Sequence, residues 1–243
     1  MQPDLAHRIV IVTGAGSGVG RATAVALAAR GAIPVLVGRR LDPLEQTAAA
    51  IRAFGGEARV MPADLRDEAA VAHLIGATIS TDRTIDAIVH AAAVGLYGPV
   101  ESYDLARWRE TFDTNLTALF LLSRAAIPVM RERGGGSVIA IGSGAGKQGY
   151  ANLAAYAASK HALIGFMQSL AEEVRAANIR TSVINPGSIL TDFGGRPAAE
   201  KAAAAAADPG KRYLRPEDVA DAVVWLLTQP SHAWTQEMNL WPW

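Results

Sequence analysis

The chain has 243 residues, 50% of them hydrophobic, and its 23 Lys+Arg balance 23 Asp+Glu for a formal net charge of zero. That is enough apolar material for a substantial core, and the balanced charge leaves no electrostatic footprint for nucleic acid or an anionic membrane. The absence of cysteine excludes a disulfide framework, a thiolate metal site and a cysteine nucleophile, and it suits a reducing cytoplasm.

Residues 1–8 run almost directly into a strand, without a charged-then-apolar leader, and no stretch of about 20 uninterrupted apolar residues occurs, so a soluble, cytoplasmic protein is expected. Residues 9–12 are a short β-branched run ending in a glycine-rich turn, and 21–30 read as an alanine-rich helix closed by Gly31. Residues 34–37 are the next strand and 44–54 the next helix, stopped by Gly55-Gly56; then 58–61, 68–79 and 85–91 repeat strand, helix, strand. Residues 105–133 form a long helical stretch, 137–141 a strand, 154–178 a second long helix and 180–184 another strand. Strands that are unbroken apolar runs belong in a parallel sheet buried on both faces. The expected fold is therefore a single α/β domain over residues 1–243, a doubly wound parallel sheet with helices on both faces.

The segment 187–214 breaks this rhythm: Gly194-Gly195, Pro197 and Asp208-Pro209-Gly210 flank an alanine-rich helical piece at 198–207. An insertion of that length near strand ends reads as a substrate lid rather than a linker. Arg215-Pro216-Glu217-Asp218 then opens a helix that runs to about Thr228.

Thr13-Gly14-Ala15-Gly16-Ser17-Gly18-Val19-Gly20 joins the first strand to the first helix. Glycines there let the backbone approach a pyrophosphate, and the free N–H groups of the helix start favour its negative charge. The glycines fall as T-G-x-x-x-G-x-G, not G-x-G-x-x-G. Gly38-Arg39-Arg40 follows the second strand, where an acidic residue would accept hydrogen bonds from an adenosine 2′-hydroxyl; an arginine can instead pair with a 2′-phosphate. The cofactor is read as NADP(H), with NAD(H) as the alternative in which Arg39 only solvates a loop. Asp64 is placed to touch the adenine and Leu65 to cover its face.

Tyr156 and Lys160 stand at i and i+4, one helical turn apart, with Ser143 just past the strand at 137–141. A phenol must lose roughly 3 pH units from its reference pKa of about 10 to act as a base near neutrality, and a neighbouring cation is the ordinary way to supply part of that. Such a pair also arises by accident, but lysine occurs only at four positions, 147, 160, 201 and 211, and the surroundings of Lys160 are small and apolar. Asn115, inside the long helix, is a poor helix former without a specific partner.

With these positions assembled, the chain resembles the single-domain short-chain dehydrogenase/reductase family. The resemblance implies a catalytic tetrad of Asn115, Ser143, Tyr156 and Lys160. Tyr156 would exchange a proton with the substrate oxygen while the nicotinamide exchanges a hydride with its carbon. Ser143 would hold the oxygen, Lys160 would lower the tyrosine pKa and bond the nicotinamide ribose, and Asn115 would anchor a water that relays protons. It further implies cofactor contacts from Gly14, Ser17, Gly18 and Val19, from Ala91 and Ala92, and from Pro186, Gly187 and Ile189 through Thr191, which could bond the carboxamide. It implies a homodimer or homotetramer built from the two long helices.

Two departures stand out. Where the family usually has Asn-Asn-Ala-Gly this chain has His90-Ala91-Ala92-Ala93, with His90 read as a satisfied buried histidine. Where many relatives end in Val-Asp-Gly-Gly, it ends in Leu240-Trp241-Pro242-Trp243, and Trp234, Trp241 and Trp243 suggest burial against another subunit. The expected substrate pocket is Val94, Leu96, Tyr97, Gly144, Ala145, Gln148, Tyr150, Ile189, Leu190 and Phe193. It is mainly apolar, which fits a neutral ketone, aldehyde or secondary alcohol; no arginine or lysine is securely placed to hold an anionic group, Lys147 and Arg196 being merely candidates. A 3-oxoacyl thioester, a sugar-nucleotide epimerase and a catalytically silent NADP-binding sensor are the competing readings. No metal site is expected.

Overall fold

The computed structural model describes residues 5–208 and 210–243; Met1 to Asp4, at the start of the expected leaderless N-terminus, and Pro209, in the expected lid, lie outside the described residues. Among the described residues, seven strands form one parallel sheet: β1 (Ile9–Thr13), β2 (Ile33–Gly38), β3 (Arg59–Pro62), β4 (Ala87–His90), β5 (Gly136–Ile141), β6 (Ile179–Pro186) and β7 (Glu237–Leu240). Their order is β3-β2-β1-β4-β5-β6-β7, so the winding reverses between β1 and β4. The apolar runs explain it: β1 and β4 are buried along their full length, a pattern suited to a strand covered on both faces.

Among the described residues there are eight α-helices: α1 (Gly18–Ala28), α2 (Leu41–Arg52), α3 (Glu68–Asp82), α4 (Leu105–Phe112), α5 (Ala118–Glu132), α6 (Ala154–Val174), α7 (Ala198–Ala207) and α8 (Pro216–Leu227). One core layer packs α3, α5 and α6 on one face through Leu74, Leu119, Leu122 and Leu163. The other packs α1, α2 and α8 on the opposite face through Leu27, Leu44, Val219 and Val223. This is the doubly wound, Rossmann-type architecture, and in such sheets ligands bind beyond the carboxyl ends of the strands at the winding reversal. Among the described residues, no helix is long and apolar enough to cross a membrane.

The long helix expected at 105–133 is interrupted. Asp113–Thr117 form a π-helical turn between α4 and α5, closed by the Ala118 N–H onto the Asp113 carbonyl. The extra residue in that turn displaces Asn115 from a regular helical register and lets its side chain face inward, fully buried. The second long helix ends as α6 at Val174 and tightens into a 3₁₀ turn before Asn178, which adopts a left-handed φ of 56°.

Candidate active site

The carboxyl ends of the central strands open into a cavity of about 1390 Å3, which reaches from the glycine turn after β1 to the start of α6. Gly14, Ser17, Gly18, Val19, Arg39, Asp64, Leu65, Ala91 and Ala92 line one end, and Pro186, Gly187, Ile189 and Thr191 continue the wall to Tyr156 and Lys160. The glycine turn cannot carry side chains. A Cβ on Gly20 would lie 2.3 Å from the Gly14 carbonyl oxygen, and one on Gly14 would meet the Ala92 backbone at 3.1 Å. The turn therefore packs against its own backbone and that of the β4 loop. Ser17 is the N-cap of α1, its hydroxyl makes no capping hydrogen bond, and the first turn holds no acidic residue. Exposed N–H groups at a helix start with no competing carboxylate suit an anionic phosphate.

At the far end of this wall Arg21, Arg39 and Arg40 are exposed and line the cavity. Arg21 was not anticipated from the sequence, because a charged residue on an amphipathic helix reads as solvent face. Asp64 is clasped by Arg66, whose Nη2 and Nε approach its carboxylate oxygens at 2.6–3.1 Å. That hydrogen-bonded pairing holds the Asp64 carboxyl below its ordinary pKa. The cavity volume, the glycine cradle and the basic end together fit a phosphorylated dinucleotide.

The Tyr156–Lys160 pair lies in the first turns of α6, which packs against the turn after β5. Ser143 caps a 3₁₀ turn there: its Oγ accepts the Ala145 N–H at 3.1 Å, which leaves its proton to donate elsewhere. The backbone N–H of Ser143 donates to Asn185 Oδ1 at 3.3 Å. Asn185 is completely buried and in turn donates to Glu237 Oε1 at 2.9 Å, so the serine loop is tied to β7.

Tyr156 and Lys160 are both buried, 7% and 2% exposed. Burial drives the Tyr156 phenol well above the ordinary tyrosine pKa, with the neighbouring Ser143 hydroxyl acting the other way and Tyr97 adding to the rise. Burial also pushes Lys160 down to about 7. Burial is thus the largest influence on the Tyr156 phenol. The Lys160 Nζ donates to the Ile141 carbonyl at 2.7 Å and stands 5.8 Å from the Tyr156 ring centre. A buried ammonium satisfies its own hydrogen-bonding need first, and here a strand carbonyl meets it.

Asn115 lies outside the cavity wall, behind it. Its Oδ1 accepts the Val94 N–H at 2.8 Å, while Nδ2 donates to the Val94 carbonyl at 3.1 Å and to Ser159 Oγ at 3.0 Å. The side chain is thus fully occupied as a clamp between the π turn, the β4 loop and α6. Ser159 was not singled out from sequence, although its place at i+3 from Tyr156 was the available signal.

Of the expected substrate pocket, Val94, Tyr97, Gly144, Ala145, Tyr150, Ile189, Leu190 and Phe193 line the cavity, but Leu96 and Gln148 do not. The Leu96 carbonyl is held by the Tyr103 hydroxyl, and the exposed Gln148 amide turns onto the Tyr150 hydroxyl. Tyr97 and Phe193 pack on the Tyr156 ring with centroids 5.8 and 5.6 Å away. Lys147 is paired with Glu237 at 2.7 Å and Arg196 with Glu200, and neither lines the cavity. Besides Lys160, Lys201 of α7 lines it, and its Nζ donates to the carbonyls of Thr191 at 2.6 Å and Phe193 at 3.0 Å.

His90 is buried, as expected, yet only partly satisfied. Nδ1 is 3.3 Å from Thr13 Oγ1, and Nε2 has no hydrogen-bond partner. Thr13 Oγ1 already accepts the N–H groups of Ala91 and Ala92, so its own proton goes to Nδ1 and the neutral ring carries its proton on Nε2. Burial, reinforced by the charge of Lys160 and opposed by the Thr114 backbone, pushes the imidazole down to about 3. Trp234 also departs from expectation. Its Nε1 donates to the Thr181 carbonyl at 2.7 Å, which fixes it within its own chain, whereas Trp243 is 99% exposed.

The short chain dehydrogenase family model matches residues 8–202. The chain is 33% identical to the 2,3-dihydro-2,3-dihydroxybenzoate dehydrogenase of Bacillus subtilis, over 91% of this chain and 89% of that protein. It is 32% identical to the glycine betaine reductase of Emericella nidulans over 98% of its own length, but spans only 19% of that longer protein. A metagenomic short-chain oxidoreductase solved in complex with NADP superimposes with a TM-score of 0.85 at 33% identity, covering 98% of each chain. The sheet order, the glycine turn and the match over residues 8–202 agree: this chain belongs to the short-chain dehydrogenase/reductase family, nicotinamide-dependent oxidoreductases acting on CH–OH and C=O groups.

Proposed function

We propose that the protein is an NADPH-dependent carbonyl reductase that converts a neutral ketone or aldehyde to its alcohol, with Tyr156 as the general acid. The observation that carries this reading is that one continuous cavity has the glycine cradle and three arginines at one end and the Ser143, Tyr156 and Lys160 side chains at the other. NADPH, when bound, supplies the hydride. Gly14, Ser17, Gly18 and Val19 hold its pyrophosphate, Arg39 with Arg21 and Arg40 holds the 2′-phosphate, and Leu65, Ala91, Ala92, Pro186, Gly187, Ile189 and Thr191 shape the remaining contacts. Asp64 borders the adenine.

Ser143 donates its hydroxyl proton in a hydrogen bond to the substrate oxygen and so orients the carbonyl. Tyr156 gives its phenolic proton to that oxygen as negative charge develops on it. Burial keeps the phenol in its protonated form at rest, the form that donates. Lys160, near 7, then returns a proton toward the phenolate, and Asn115 holds α6 and the β4 loop in register while this occurs. The apolar lining of Val94, Tyr97, Ala145, Leu190 and Phe193 supports an uncharged substrate.

Tyr156→Phe tests the assignment: the purified variant should bind NADPH with wild-type affinity and lose at least about a thousandfold in turnover on a ketone and aldehyde panel. Near wild-type turnover would sink it. Exposed Leu105, Trp108 and Phe120 on α4 and α5 support a homo-oligomer assembled through these helices, which light scattering would register as a dimer or tetramer mass.

A further inference from the structure

The C-terminal residues replace the family's glycine-rich ending with tryptophan, and the strand register fixes where that tryptophan goes. β7 pairs parallel with β6, placing Leu240 opposite Pro186, and the Gly187 N–H donates to the Leu240 carbonyl at 2.8 Å. Trp241 therefore lies beside Gly187. Its indole is wedged between two glycines: a Cβ on Gly144 would come within 2.6 Å of Cη2, and one on Gly187 within 2.8 Å of Cε3. Gly144 follows Ser143 directly, and Gly187 belongs to the turn that borders the expected nicotinamide position. The strand carrying the indole is anchored at its other end by Glu237, which is paired with Lys147 and accepts from Asn185. Trp241 is nonetheless 52% exposed and lines the cavity. An indole held along one edge by glycine backbone, with much of its surface left uncovered, offers an aromatic face to whatever enters.

We propose that Trp241 is a specificity-determining residue, a fixed aromatic platform at the substrate end of the cavity that selects flat, uncharged ring ketones over small acyclic ones. The proposal rests on the carbonyl-reductase reading above. Neither glycine tolerates a side chain without moving the indole, so Gly144 and Gly187 set the position of the platform. Tyr97 and Phe193 pack on Tyr156 and supply a separate aromatic wall. A ring ketone whose oxygen meets Ser143 and Tyr156 would extend its plane over Trp241; a molecule such as butanone would gain little there.

The test compares 2-tetralone with butanone. Trp241→Ala should lower the ratio of kcat/KM for 2-tetralone to that for butanone by about tenfold, mainly through the KM for 2-tetralone, and Trp241→Phe should restore most of it. A parallel loss on both ketones, or an unchanged ratio, overturns the platform. A second readout needs no turnover: the tryptophan emission of the NADP+ complex should change saturably on adding 2-tetralone in the wild type and far less in Trp241→Phe. No saturable change, or an equal change in both, also overturns it. Turnover with an unchanged ratio removes the platform and leaves the reductase reading standing, whereas a Trp241-dependent emission change without any turnover does the reverse.

Discussion

Asn115 Nδ2 donates to Ser159 Oγ at 3.0 Å, and Ser159 Oγ in turn donates to the Tyr156 carbonyl at 2.7 Å, so the π turn before α5 is bonded directly to the turn of α6 that carries the candidate acid. Both of these hydrogen bonds are buried. Ser159→Ala removes one buried partner and leaves Asn115 with its two Val94 bonds, and a stability loss of about 1–2 kcal/mol in urea titrations is expected. Asn115→Ala also strands both Val94 backbone groups and should cost more than Ser159→Ala; equal midpoints for the two variants would show that the clamp carries no weight.

Arg39 is exposed at the basic end of the cavity. Arg39→Asp replaces a guanidinium that can pair with a 2′-phosphate by a carboxylate that repels it and can accept from a 2′-hydroxyl. The ratio of kcat/KM with NADPH to that with NADH should fall at least about tenfold, since a charge-assisted hydrogen bond is worth roughly 1.5–3 kcal/mol. Wild-type protein that binds NADH as tightly as NADPH would refute the cofactor preference itself.

Buried His90 gives a pH prediction. Its folded pKa near 3 lies below the ordinary histidine value of 6.5, so between these values the unfolded chain binds the extra proton. Stability from keeping His90 neutral is fully present above about pH 6.5 and is lost as pH falls toward 3, by about 1.4 kcal/mol for each pH unit within that window. His90→Gln lacks the titrating ring, so its unfolding free energy should fall less steeply than wild type between pH 6 and 4. Identical slopes would mean that His90 does not titrate with folding.

Lys201 ties α7 to the loop before it by donating to the Thr191 and Phe193 carbonyls. Lys201→Met should free the Gly194–Gly195 turn, where both glycines have left-handed φ of 81° and 78°, and speed its cleavage by a protease severalfold. Saturating NADPH should slow cleavage of the wild type, because Thr191 sits against Gly18 of the phosphate turn. Cleavage at equal rates in wild type and variant would remove Lys201 as the latch.

The order of strands and helices was legible because unbroken apolar runs and glycine stops are local signals, and the helix at 198–207 needed no adjustment. The π turn was not, since one inserted residue leaves the apolar periodicity of 105–133 almost unchanged while it redirects Asn115. The i, i+4 spacing of Tyr156 and Lys160 was visible in the sequence, but it marked a candidate site only with Ser143, Asn115 and the glycine turn beside it. What Lys160 does next depends on a strand carbonyl from Ile141, nineteen residues away, which no spacing on its own helix reveals. Leu96 and Gln148 were misplaced for a similar reason, as Tyr103 and Tyr150 claim their polar groups. Trp241 became part of the site only through the β6–β7 register, a pairing between residues 54 apart in sequence.

The central claim is that hydride reaches a carbonyl carbon in this cavity while Tyr156 protonates its oxygen. The most direct measurement supplies the wild-type enzyme and Tyr156→Phe with NADPH deuterated at the transferring position and a prochiral ring ketone, and follows the label into product by mass spectrometry. The account predicts one deuterium on the carbinol carbon with the wild type, delivered to a single face, and no detectable labelled alcohol with the variant despite bound cofactor. Alcohol formed without the label, or labelled alcohol formed at comparable rates by the variant, would contradict it.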